Sequence, residues 1–171
     1  MEQFLKLNYK NKNMSNRKTT TITLVLMIMM LTSTALAQNY KQAIGIRGGL
    51  FNGITYKNFI TNSTAVEGIL HTRWQGWEAV GLIEYHNEMP SNGNFYWFYG
   101  YGAHVGFFDA KYSHFSSGTY TVLGVDGILG LEYEFPKAPI AIGLDWKPYF
   151  NLVGYSGFFG DGGAFSLRYT F

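Results

Sequence analysis

The sequence predicts an all-β fold, an eight-stranded antiparallel up-and-down β-barrel of the transmembrane kind. Three observations carry that expectation. Short runs with a period of two recur along residues 42–171, separated by turn chemistry. In each run one face is broadly apolar while the other mixes charge with glycine. The chain also stops on such a run, "GAFSLRYTF", at a position where most chains fray. Composition agrees: 18% of residues are aromatic and 14% charged, with 21 glycines and 4 prolines, and no heptad or sustained helical period.

The first segment to place is the leader. Arg17 and Lys18 precede "TITLVLMIMMLTSTALAQ", whose apolar core from Ile22 to Leu31 has the length of a signal-peptide core. A membrane-spanning helix would need roughly 20 apolar residues. Ala35-Leu36-Ala37 is the small-x-small pattern that precedes cleavage, so residues 1–37 read as a signal peptide, with Met14 a possible true start. Residues 38–171 then form one exported domain. Removing the leader takes away five basic side chains and one acidic, leaving 8 basic and 10 acidic groups and a net charge of −2. That balance leaves no basic patch for nucleic acid. The chain has no cysteine, which excludes disulfides and thiol chemistry.

Eight strands follow in order: 42–51, 54–61, 65–74, 77–87, 95–108, 120–135, 139–150 and 163–171. The connecting stretches "NG", "TNST", "QG", "EMPSNGN", "DAKYSHFSSGTY", "PKAP" and "YSGFFGDGG" all carry turn or loop residues. The runs suit tilted spanning strands, which need about 9–11 residues. Register is open at Asn52-Gly53. A two-residue turn there puts Arg47 inside and Lys57 outside, whereas a three-residue turn or bulge brings both inside.

The faces choose between a soluble barrel and a membrane barrel. Phe165, Leu167, Tyr169 and Phe171 oppose Ser166, Arg168 and Thr170. Leu123, Val125, Leu129, Leu131, Tyr133 and Phe135 oppose Asp126, Glu132 and Glu134. Trp97, Tyr99, Tyr101, Val105 and Phe107 oppose Gly100, Gly102, His104 and Gly106. The polar faces are narrow and glycine-rich, as suits the interior of a small barrel. The bulky faces are then left for lipid, with Tyr and Trp near strand ends as interface girdles.

The leader, the amphipathic strands and the terminal "SLRYTF" resemble the small outer-membrane β-barrel proteins of Gram-negative bacteria. The stretch from "GVDGILGLEYEF" to "GDGGAFSLRYTF" looks most like the outer-membrane β-barrel domains of the Bacteroidota. That resemblance implies a location in the outer membrane, contact with its lipid and lipopolysaccharide, and folding by the barrel-assembly machinery. Phe165, Leu167, Tyr169 and Phe171 would form the assembly signal. With a periplasmic C-terminus, the loops at 151–162, 109–119, "QG" and "NG" are extracellular.

Inside the barrel the expected charge network comprises Arg47, Lys57, Arg73, Lys147 and Arg168 with Glu67, Glu84, Asp126, Glu132, Glu134 and Asp145. Near-balanced charge in a narrow lumen favours paired groups and a plugged barrel over a pore. An enzyme reading rests on "KYSHFSSG", where His114 and Ser116 would be base and nucleophile of a lipid A deacylase-like site. The surrounding residues do not match that family. His71, His86 and His104 lie on three consecutive strands near Glu67 and Glu84, a conceivable metal set without any His-x-His spacing. "GYSG" at 154–157 lacks the second glycine of a nucleophile elbow. The favoured reading is a non-enzymatic structural or interaction barrel with no cofactor or metal. The alternatives are the lipid-modifying enzyme and a soluble lipocalin-like ligand-binding barrel.

Overall fold

The structure, a computed structural model, describes residues 40–50, 52–73, 76–90, 94–109, 119–154 and 156–171. Residues 1–37, read as a signal peptide, lie outside the described residues, as do His114 and Ser116. The regular elements described are all strands: β1 (Gln42–Gly49), β2 (Asn52–Phe59), β3 (Thr64–Arg73), β4 (Gly76–Glu88) and β5 (Phe95–Asp109). They continue with β6 (Thr119–Glu134), β7 (Ile140–Trp146), β8 (Tyr149–Val153), β9 (Gly157–Phe159) and β10 (Gly163–Thr170).

Hydrogen bonding runs in the order β5-β4-β3-β2-β1-β10-β7-β6, and a β5–β6 pairing closes the ring. Every pairing is antiparallel. One position of the ring, beside β6, is shared by β7 and β8. β7 pairs with β6 from Leu129↔Trp146 onward, and β8 resumes the same register at Asp126↔Tyr149. The expected strand 139–150 is thus interrupted at Lys147-Pro148, because a proline has no N–H to give the ladder. The Pro148 carbonyl still accepts from Gly127 N at 2.8 Å, so the interruption is local. The expected loop "YSGFFGDGG" contains β9, which pairs with β8 through Tyr149↔Phe159.

The turn expected at Asn52-Gly53 lies earlier. Both residues belong to β2, with Arg47 opposite Gly53, and the chain reverses between Gly49 and Asn52. Five residues separate Arg47 from its partner Gly53, an odd number that keeps parity, so Arg47 and Lys57 both point inward, at 3% and 0% exposure.

Burial alternates along the strands with the polar side chains inside. On β6, Val122, Gly124, Asp126, Ile128, Gly130 and Glu132 are buried, while Leu123, Val125, Leu129 and Leu131 are exposed. The same inversion places Ile44, Ile46, Ile54, Leu70, Leu144 and Leu167 outside. An inward apolar layer of Ile69, Val80, Leu82, Phe98 and Ile128 lies within the lumen. Ile69 is flanked on its strand by Glu67 and His71, and Leu82 and Val80 by Glu84 and Glu78, so this layer separates two polar ones.

Glycine makes room for those side chains. A Cβ on Gly130 would lie 2.4 Å from the Phe98 ring, and one on Gly124 would lie 2.4 Å from the His104 ring. One on Gly45 would meet the Arg168 stem at 2.8 Å. The narrow, glycine-rich faces of the sequence are therefore the inside of the barrel.

Candidate functional site

The lumen of the barrel gathers most of the buried polar chemistry, in three groups along its axis. At the centre Lys57 Nζ lies 2.8 Å from Glu84 Oε2, 3.3 Å from Glu132 Oε2 and 3.5 Å from Glu67 Oε2. Arg168 reaches the same carboxylates from β10, with Nη1 2.9 Å from Glu132 Oε2 and Nη2 2.7 Å from Glu67 Oε1. The Thr55 hydroxyl donates to Glu67 Oε1, and the Tyr40 hydroxyl donates to Glu132 Oε1 at 2.5 Å. Lys57 also stands 4.6 Å from the Phe98 ring centre.

Arg47 and Asp145 form a separate pair across β1 and β7. Arg47 Nη1 donates to Asp145 Oδ2 at 2.7 Å, and Nη2 bonds Oδ1 to complete a two-pronged fork. Beyond the apolar layer, Lys147 Nζ donates to Asp126 Oδ1 at 2.6 Å. His104 Nδ1 lies 2.8 Å from Asp126 Oδ2, and its Nε2 lies 3.0 Å from Asn151 Oδ1. His71 Nε2 lies 3.1 Å from Glu78 Oε1 in the same half of the barrel.

An aromatic stack covers the central group on the side of the chain's C-terminus. Tyr40 meets Phe59 edge-on at 5.2 Å, Phe59 meets His86 at 4.9 Å, and His86 stacks on Phe98 at 4.8 Å. Tyr40 precedes the first strand and turns into the lumen. Burial, reinforced by the neighbouring Glu132 carboxylate, pushes its hydroxyl well above the ordinary tyrosine range, so it stays a donor.

The network expected from sequence distributes over these groups as follows. Lys57, Glu67, Glu84, Glu132 and Arg168 meet at the centre; Arg47 pairs with Asp145, and Lys147 with Asp126. Glu134 is half-buried at the end of β6, and the side chain of Arg73 lies outside the described residues. The three histidines do not converge: His71 meets Glu78, His86 meets Glu84 at 3.0 Å, and His104 meets Asp126. Among the described residues no grouping of three or more His, Cys, Asp or Glu side chains could hold a metal. His86 lies apart from the other two, beside Glu84, and His71 and His104, in the other half of the barrel, each face a different carboxylate.

Glu78, Thr55, Asn151 and Tyr40 also face the lumen and were not in the expected set. Parity finds Glu78 and Thr55, which share the inward phase of Glu84 and Lys57 on their strands. Asn151 lies past Pro148 and Tyr40 ahead of β1, where alternation gives no guide.

Phe165 and Leu167 are exposed on the outer face of β10, Tyr169 is half-exposed beside them, and Phe171 is exposed just past the strand. A closed eight-stranded antiparallel barrel with charges inside and large apolar side chains outside is the architecture of an outer-membrane protein barrel. Among solved structures the chain is similar to the N-terminal β-barrel domain of OprF from Pseudomonas aeruginosa. The TM-score is 0.63 at 14% identity, over 78% of this chain and 100% of that one. No family model matches the chain, and no curated protein matches it.

Proposed function

We propose that the chain is a small outer-membrane β-barrel protein of a Gram-negative envelope, with a structural or interaction role and a plugged lumen. The observation that carries this reading is the inverted burial. Arg168, Lys57, Glu67, Glu84 and Glu132 are at most 1% exposed, while Ile46, Leu144 and Phe158 are 62%, 61% and 68% exposed. Water would oppose both arrangements; a bilayer favours both, because the closed ring leaves no unpaired backbone edge in hydrocarbon. A soluble ligand-binding barrel needs the opposite pattern, with its apolar side chains lining the cavity.

Trp77 and Phe107 near one rim, and Trp97, Tyr133 and Tyr169 near the other, are the girdles expected at two membrane interfaces. The similar solved barrel supports the outer-membrane kind. For the Bacteroidota-type family the support is the sequence resemblance of residues 124–171. Lipid and lipopolysaccharide are then the surroundings of the outer face. The alternating row from Phe165 to Phe171 is the segment offered to the assembly machinery.

The test is heat modifiability. Residues 38–171 refolded into detergent are expected to run as a compact band that shifts on boiling, with β-rich circular dichroism. A chain that stays folded and soluble without detergent would overturn the reading.

A further inference from the structure

The central group of the lumen is short of one positive charge. Glu67, Glu84 and Glu132 set three carboxylates against two cations, Lys57 and Arg168, and all five side chains are buried. The hydrogen bonds show where the deficit falls. Glu132 has both oxygens engaged, by Tyr40 on one side and by Lys57 and Arg168 on the other. Glu67 Oε1 accepts from Thr55 and Arg168, and Glu84 Oε2 lies against Lys57 and His86. Glu84 Oε1 is left without a hydrogen bond, and Glu67 Oε2 has none beyond its ion pair with Lys57 Nζ at 3.5 Å; Arg168 Nε is unbonded as well.

The two glutamate oxygens belong to neighbouring groups. In the β3–β4 register Glu84 stands opposite Ala65 and Glu67 opposite Leu82, so the two carboxyl groups are inward diagonal neighbours, and the same Lys57 ammonium reaches both, at 2.8 Å from Glu84 Oε2 and 3.5 Å from Glu67 Oε2. Two adjacent acceptors and one missing positive charge describe the same vacancy. Buried polar atoms left unsatisfied are costly, and like charges that close resist joint ionisation.

We propose that the centre of the barrel is a binding site for a single resident proton, carried on Glu84 and donated from Oε1 to Glu67 Oε2. With that proton, three carboxyl groups carry two negative charges against Lys57 and Arg168, and both atoms gain a hydrogen bond. A hard metal ion does not fit, because it needs a shell of about six or more oxygens where two are vacant. The surrounding elements offer few other places for the charge. Arg168 and Lys57 are already cations, Phe98 faces in from β5, Gly45 from β1, and Tyr40 and Thr55 act as donors. His86 is the competing carrier, but an imidazolium there would leave Glu67 Oε2 and Glu84 Oε1 without a hydrogen bond.

Infrared spectroscopy tests this on the protein expressed from the full chain, purified from membranes and held folded at neutral pH. The expected result is a carbonyl stretch of a protonated carboxylic acid that moves on isotope labelling of glutamate. It should vanish in Glu84→Gln, whose amide replaces the acid as donor and leaves the heat-modifiable band in place. Absence of the stretch in the unsubstituted protein overturns the proposal, whether or not Glu84→Gln folds. So does an unchanged spectrum in Glu84→Gln, or nitrogen NMR showing His86 as the imidazolium.

Discussion

Individual side chains in the lumen are held by mutual obligation. Taking a carboxylate and a guanidinium out of water costs several kcal/mol per ion, and only their close pairing offsets that cost. Arg47 and Asp145 therefore protect each other, and each alone is a liability. Asp145→Ala is expected to lower unfolding stability in detergent by about 3–5 kcal/mol, the usual cost of orphaning a buried charge. Replacing both, as Arg47→Met with Asp145→Leu, should cost much less. Denaturant titration of the single and double variants checks this, and equal losses would mean that the pair is solvated. The carboxylate of Glu132 serves Lys57, Arg168 and Tyr40 at once, so Glu132→Ala should be among the most damaging single changes in the barrel.

Within the strands, the same residue type has opposite meaning on opposite faces. Gly130 faces inward against Phe98, and an added Cβ would lie 2.4 Å from its ring. Gly68 and Gly81 face outward, opposite each other in the β3–β4 register, and a Cβ on either meets nothing within 4 Å. Gly130→Leu is expected to abolish or strongly reduce the heat-modifiable form, whereas Gly68→Leu should fold as the parent does. Overpacking of a filled interior typically costs about 1–3 kcal/mol and more where backbone must move. An outward-facing leucine at Gly68, with nothing within 4 Å, carries no such cost. Band shifts read at a series of temperatures would compare the two, and equal behaviour would contradict the assigned faces.

For the whole barrel, the outer surface can be read with its own tryptophans. Trp77, Trp97 and Trp146 are exposed on the outside, at 48%, 38% and 47%. Refolding into bilayers that carry brominated acyl chains should quench their fluorescence, most strongly when the bromine sits near the interface. Failure to quench would remove the lipid from that surface. Across the barrel, the plugged lumen we propose rests on the packed central charge group and the stack from Tyr40 to Phe98. Planar bilayers holding the protein should show no steady conductance. Tyr40→Ala removes both a ring from the stack and the donor to Glu132, and openings should become more frequent; Tyr40→Phe keeps the ring and should stay nearer the parent.

Alternation by itself determined the class of fold, the number of strands round the barrel and the inward side of most of them. The reason is local: a side chain's face follows from its parity in the strand, and lipid, like any apolar solvent, sorts residues by type. Glu67, Glu84, Glu132 and Arg168 were legible as inward groups on that ground. Tertiary structure decided what parity leaves open. The reversal between Gly49 and Asn52, and not at Asn52-Gly53, set the register that brings Arg47 and Lys57 inside together. Pro148 broke one stave without shifting its register, and β9 formed inside an expected loop. Which charge met which was also decided there. The stagger of strands sets depth along the barrel axis, so His86 parted from His71 and His104 while Glu67, Glu84 and Glu132, on three different strands, came to share two cations.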